Sequence, residues 1–445
     1  MKIQRVISAT FFLFLTGVLL AQNPIIRDQF TADPSARVYG DKVYLYPSHD
    51  ILGKEGQGRP GWFCMEDYHV FSSDNLTDWT DHGIILSQDK TPWTNPTGYS
   101  LWAPDCIFKN GKYYFYFPSS AKDTSYGRGF SIGVAIADNP SGPFIPEQAP
   151  IKKVRGIDPC PFIDKDGQAY LYWSGGRIFG AKLEPNMLAL ASETQVMKDL
   201  PTKGLIEGPY MFERNGIYYM TYPHVQNKIE RLEYATGDNP LGPFTYAGVI
   251  MDESPMNCWT NHHSFIEFKG QWYLFYHQNA LSPKFDKNRA VCIDSMFFNA
   301  DGTIRKVIPT LRGVGITKAS EKIQTDRYSM KSEKGCEVSF LDTLNTFAGW
   351  KTLLSAGGWV QYNTVDFGQK KPKTMLALTS SETGGTLEFR LDSADGLLLA
   401  VVEIPAGKAW IPVSAKLSKS GVGVHNLLVI HKEGGPVEVD WVSFK

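Results

Sequence analysis

One phrase recurs five times along the first 280 residues: a glycine turn, one to three residues, then alternating aromatics. It reads Gly40-Asp-Lys-Val-Tyr44-Leu-Tyr, Gly111-Lys-Tyr-Tyr114-Phe-Tyr, Gly167-Gln-Ala-Tyr170-Leu-Tyr, Gly216-Ile-Tyr-Tyr219-Met-Thr-Tyr and Gly270-Gln-Trp-Tyr273-Leu-Phe-Tyr. The marker tyrosines are 70, 56, 49 and 54 residues apart. Each phrase is a hairpin signal, a glycine turn (Asn-Gly, Asp-Gly or Lys-Gly in the last four) leading into a strand of β-formers. A second phrase closes alternate units: Ala135 to Phe144 matches Ala235 to Phe244 at seven of ten positions. A looser version, Ser72 to Trp79, occupies the same place in the first unit. Five β units with almost no helical periodicity predict an all-β chain whose main domain is a five-bladed β-propeller. A large β-sandwich would not repeat in this way. The long first step predicts an insertion in the first blade, around His49 to Glu66.

After Pro309 the repeat stops. A polar stretch, 317–334, reads as a linker, and short strands follow. These include Gly358-Trp-Val-Gln-Tyr, Gly385 to Leu391, Leu397 to Ile404, His425 to Ile430 and Val439 to Phe444. Residues 335–445 therefore read as a β-sandwich, of a size to fold independently. The propeller is assigned to 23–316.

At the N-terminus, Lys2 and Arg5 precede a 15-residue, mostly apolar run from Val6 to Leu20. That length suits a signal-peptide core better than a membrane span, which predicts removal of 1–21 and export. An N-terminal anchor helix is the alternative. No second long apolar stretch follows. The formal net charge is −1, and no basic stripe exists to neutralise phosphates, which argues against nucleic-acid partners. The six cysteines lie far apart without a CxxC pair, so buried free thiols are expected. Gly56-Gln-Gly-Arg-Pro-Gly61 matches GxGxxG only formally, because Pro60 and the missing strand–helix context make it a loop.

In a propeller the first strand of each blade lines the central channel, and it precedes the repeated hairpin. Reading back from the marker tyrosines gives Asp33, Asp105, Asp158, Glu207 and His263, at offsets of 11, 9, 12, 12 and 10 residues. Any one Asp-Pro or Glu-Gly-Pro could be a strand-entry turn. Five ionisable residues in phase predict groups converging on one axis. Converging carboxylates suit glycosidic cleavage, which needs one protonated acid and one ionised base with pKa values pushed apart.

Asp33-Pro34, Trp102-Ala-Pro-Asp105, Asp158-Pro159 and Glu207-Gly-Pro209, each feeding a Gly-x-x-Tyr hairpin, resemble glycoside hydrolase family 43 from about Asn23 to Pro309. The resemblance implies Asp33 as general base, Glu207 as general acid, Asp158 as the group tuning Glu207, and inversion at the anomeric carbon. It also implies an axial metal- or water-binding role for His263, sugar stacking for Trp102 and sugar hydrogen bonding for Arg289. In the inserted loop, His49, Asp50, Trp62 and Phe63 are candidate pocket walls. Residues 335–445 resemble a family 6 carbohydrate-binding module, with Trp410 as one aromatic of the sugar clamp and Glu438 where an Asn is usual. Such modules leave room for a structural Ca²⁺, and the chemistry itself needs no cofactor. The expected activity is an α-L-arabinofuranosidase or β-xylosidase on arabinoxylan-type polysaccharide, by a monomer. An endo-arabinanase and a non-catalytic propeller lectin are the rival readings.

Overall fold

A computed structural model describes residues 23–126, 128–254, 258–342 and 350–445. The expected signal peptide lies outside the described residues. Four antiparallel four-stranded sheets and one three-stranded sheet follow each other in sequence, each ordered strand by strand from its first member. The first members are Phe30–Tyr39, Asp105–Lys109, Ile157–Ile163, Tyr210–Arg214 and Ser264–Phe268. Neighbouring first strands touch, the fourth and fifth through Tyr210 Oη donating to Phe265 O (2.8 Å), and the one at Phe30–Tyr39 also meets the fifth sheet, closing a ring of five blades. Among the described residues the only helical elements are two single 3-10 turns, Gln88–Lys90 and Thr124–Tyr126.

The repeated phrase folds as its residues require. In Asn110-Gly111, Asn215-Gly216 and Lys269-Gly270 both residues have φ between 51° and 84°, the backbone of a hairpin turn whose twist matches its strands. The alternating aromatics then face opposite ways. In the strand Lys112–Ser120, Phe115 and Phe117 pack toward the first blade with Tyr46, Tyr68 and Trp93. Tyr114 and Tyr116 pack toward the third blade with Leu171 and Trp173. A blade buried on both faces needs apolar residues at odd and even positions alike, and this explains the unbroken aromatic runs.

The fifth blade has three strands of its own. Residues from the start of the described chain run beside its outer strand, Ala290–Met296, through bonds from Ile25 N to Val291 O (2.9 Å) and from Thr31 N to Arg289 O (3.0 Å). Buried Asn23 ties this closure together, donating to Ile293 O and Thr310 O and accepting from Ile293 N.

The C-terminal domain is a sandwich of two six-stranded sheets around an aliphatic core that includes Leu354, Val360, Leu387, Val429 and Val439. The stretch 317–334 is not a linker. Thr317–Lys318 and Met330–Lys331 pair with Trp359–Asp366, and Ile323–Gln324 pairs with Val437–Phe444. Its lysines and serines suggested solvent, but Thr317, Ala319, Ile323, Thr325, Asp326 and Arg327 are buried, because the stretch packs onto the sandwich sheets. All six cysteines are buried free thiols. No helix of the described residues is long and apolar enough to cross a membrane.

Candidate active site

The carboxylates reach the channel because their strands are interrupted. Pro34 has no N–H to give the ladder, and the register between the first two strands of blade one shifts between Ala32 and Ser35. Asp33, inside that bulge, adopts φ 45°, a left-handed conformation that turns its side chain out of the sheet alternation. Asp158, also before a proline, repeats the device with φ 57°. Glu207 is followed by Gly208 at φ 53°, where a side chain would strike the Pro223 ring and His262. Gly208 N donates to Asp158 Oδ2 (2.9 Å), so the turn that presents Glu207 also holds Asp158.

Asp33 is clamped. Arg289 donates from both terminal nitrogens to its two oxygens (2.7 and 3.1 Å), and Ser48 Oγ donates to Oδ2 (2.8 Å). Its backbone N–H donates to His277 Nδ1 (3.1 Å), while His277 Nε2 donates to Thr260 O (3.0 Å), which fixes that ring neutral with its lone pair on Nδ1. Behind Arg289, Asp50 takes the arginine's N–H, Nε and Nη2 at 2.8–3.0 Å, and the guanidinium stacks on Phe63 at 4.6 Å. Burial opposes ionisation of Asp33, but the Arg289 charge, with the Ser48 bond, brings its pKa down to about 2.

The opposite holds across the pocket. Burial pushes the Glu207 carboxyl up, and so does the negative charge of Asp33, against the opposing hydrogen bond from Glu230 and the charge of Arg289. Burial and the charge of Glu207 raise Asp158 as well. Glu207 is hydrogen-bonded to a second carboxyl, Glu230, which is 0% exposed and is driven well above the carboxylate range by burial and by Glu207. Glu230 Oε2 accepts from Asn261 N (2.6 Å), and its Oε1 has no N–H or hydroxyl donor among the described residues. Two facing carboxyls bond only by sharing a proton. One fixed carboxylate thus confronts a group of carboxyls whose pKa values are pushed up, the division that acid–base cleavage requires.

These residues line one cavity of about 160 Å³ with Trp62, Phe63, Met65, Trp102, Ala103, Ile157, Trp259, Thr260, Asn261 and His262. Asp33, Asp158, Glu207, Trp102 and Arg289 stand in its wall as the sequence predicted, and so do Trp62 and Phe63. His263 is buried and is not among the residues that line it. Thr221 Oγ1 gives its hydrogen to Tyr210 O and accepts from His263 Nε2 (2.7 Å), so the unpartnered, buried Nδ1 carries a lone pair. Two expectations need correction. Asp50 backs Arg289 and is fully buried, so it supports the pocket without facing it. His49 points away, onto Asp67 (2.6 Å), because the strand alternation that turns Asp50 inward turns its neighbour outward. Asp105 is a structural ion pair with Arg37. Trp410 is half-buried on the sandwich with Lys351 Nζ 6.0 Å from its ring, and that lysine bonds Glu438 (2.6 Å).

The model of the family described as glycosyl hydrolases family 43 matches residues 21–304. The chain belongs to that family. As a family 43 protein it is a glycosidase, and residues 343–445 match the carbohydrate binding module (family 6). A xylosidase/arabinosidase 43A of Humicola insolens is 37% identical over 330 residues, covering 63% of this chain and 98% of the relative. An arabinoxylan arabinofuranohydrolase of Bacillus subtilis is 29% identical and spans both domains, 92% of this chain and 88% of its own. Among solved structures, a β-xylosidase/α-arabinofuranosidase from a compost microbial metagenome, in complex with xylotriose and in a calcium-free form, superposes with a TM-score of 0.58. It shows 36% identity and covers 64% of this chain and 97% of its own. The five-bladed architecture of this family is the one the repeat predicted.

Proposed function

We propose that this family 43 glycosidase is an exported, exo-acting enzyme that removes single arabinofuranosyl or xylosyl units from arabinoxylan-type polysaccharide with inversion. The observation that carries the reading is the division of carboxyl environments around one small cavity, Asp33 on a guanidinium and Glu207 beside other carboxyls. Asp33, held ionised by Arg289, is the general base that activates water. Glu207, whose carboxyl is pushed up by burial and by the charge of Asp33, is the general acid that protonates the leaving oxygen. Trp102, with Phe63 and Phe130 against it, offers an apolar face for a sugar ring, and Arg289 offers donors to its hydroxyls. A cavity of about 160 Å³ falls below the ~300–1,000 Å³ of pockets for larger ligands, which favours one sugar unit over a chain threaded through a groove. The names of the relatives favour pentose linkages. Residues 1–21 would supply the export signal.

A cation on the axis is compatible with His263, whose Nδ1 lone pair is free to act as a ligand. A Ca²⁺ there would draw its remaining ligands from water, because calcium prefers six to eight oxygens. Bound, it would supply positive charge beneath the sugar site. Product analysis tests the central reading. Wheat arabinoxylan and nitrophenyl α-L-arabinofuranoside or β-D-xyloside should yield free pentose from the first time points. Oligosaccharides appearing before monosaccharides would contradict it.

A further inference from the structure

The expectation that His49 faces sugar fails, and the residues that it faces instead form a separate site. His49, Asp67 and His69 each offer one ligand atom, and these atoms lie within 4.8 Å of one another. His49 Nδ1 is 2.6 Å and His69 Nε2 3.9 Å from the same oxygen, Asp67 Oδ1. His69 Nδ1 sits 3.0–3.1 Å from both oxygens of Asp81, which is held by Gly83 N and Gln29 Nε2. That carboxylate accepts the Nδ1–H hydrogen bond, so the neutral ring's lone pair is on Nε2, on the side of Asp67, an acceptor facing an acceptor. Carboxylate–histidine pairs of this kind orient imidazoles that bind metal.

We propose that His49, Asp67 and His69 form a site for a divalent transition cation, with Zn²⁺ as the fitting ion. Two imidazoles and one carboxylate make a borderline donor set, poor for Ca²⁺ and suited to zinc, with water in the fourth position. Ligands ~2.0–2.1 Å from a tetrahedral zinc lie roughly 3.3 Å apart, between the two separations seen here, so side-chain rotation suffices to admit the ion. The side chains of His49, Asp67 and His69 are 19%, 8% and 15% exposed, which gives the ion access from solvent.

The position gives the site its consequence. His49 ends the strand Lys42–Asp50, and Asp67 begins the strand Asp67–Ser73. The intervening loop, 51–66, carries Trp62, Phe63 and Met65 into the sugar cavity. A metal bridging His49 to Asp67 and His69 would clip that loop at its base and fix the aromatic wall.

Tag-free protein, stripped with chelator and dialysed against Zn²⁺, should retain about one equivalent by mass spectrometry and melt a few degrees higher than the stripped form. Co²⁺ in its place should give a tetrahedral visible spectrum. Trypsin should cut after exposed Lys54 more slowly with zinc bound; Arg59 precedes Pro60 and is a poor site. His69→Gln should fold with the melting temperature of the stripped protein and lose the bound equivalent, the cobalt spectrum and the zinc protection of Lys54. A wild-type chain that retains well under a tenth of an equivalent, or a His69→Gln variant that still binds zinc with the same spectrum, would overturn the proposal. So would a melting shift produced by Ca²⁺ and not by Zn²⁺.

Discussion

At the scale of single residues, the site separates two kinds of carboxyl by their neighbours. Asp33 has a guanidinium and a hydroxyl; Glu207 has another carboxyl. The two therefore affect stability with opposite signs. Asp33 has a depressed folded pKa, so its stabilising contribution is present above the ordinary aspartate range and is lost as pH falls toward about 2. Glu207 has a raised one, so the folded state holds a proton that the unfolded state gives up first. Its contribution is full at acid pH and declines as pH rises from the ordinary glutamate value to the raised one. Glu207→Gln removes that cost and should raise the melting temperature relative to wild type by more at pH 8 than at pH 4, while activity falls. A melting difference independent of pH would mean that Glu207 is not the proton holder. Glu230 was invisible in the sequence for a physical reason. It stands at the start of a third strand, Glu230–Gly237, away from the phased first strands, and only the fold brings it to Glu207.

At the scale of elements, the readable parts were those whose local chemistry leaves no alternative. The glycine turns and two-faced aromatic strands announced each blade, and the Asp-Pro interruptions marked where strands break to release a carboxylate. Context decided the rest. His49 and Asp50 are adjacent in one strand, and a one-residue phase separates a support of the active-site arginine from an outward-facing imidazole. Trp259, Thr260, Asn261 and His262 directly precede the flagged His263, but no periodicity distinguishes a pocket-lining approach from an ordinary loop. The 51–66 loop supplies two rings to the wall, and Trp62 packs against Phe63 (5.4 Å) and Trp259 (6.4 Å). The loop residues in the cavity, Trp62, Phe63 and Met65, carry no carboxyl or imidazole to move a proton. Trp62→Ala should therefore raise KM roughly tenfold, as loss of ~1–1.5 kcal/mol of aromatic contact would, with kcat within about twofold. A large fall in kcat with KM unchanged would show that the loop acts in the chemical step.

At the scale of the whole molecule, the sandwich is joined to the place where the propeller closes. Arg327 Nη1 donates to Asn23 O (2.6 Å), on the residue that ties the start of the described chain to the fifth blade. Arg312 Nη2 bonds Asn363 O, and Thr364 Oγ1 bonds Gly315 O (2.6 Å), so both domains share the junction. Because 317–334 is part of the sandwich sheets, cutting after Ile316 strips away Arg327 with the rest of that domain. The truncated propeller should melt several degrees lower than the full chain, while turnover of nitrophenyl pentosides per folded molecule stays within about threefold. Unchanged melting would show that the closure needs no buttress.

Leaving-group dependence in two variants tests the division of labour most directly. Glu207→Gln lacks the proton donor, so it should lose about three orders of magnitude or more on arabinoxylan yet retain much of its turnover of aryl glycosides whose phenolate leaves unaided. Asp33→Asn lacks the base and should be inactive on both. Equal losses on both substrates for Glu207→Gln, or aryl turnover surviving in Asp33→Asn, would contradict the account.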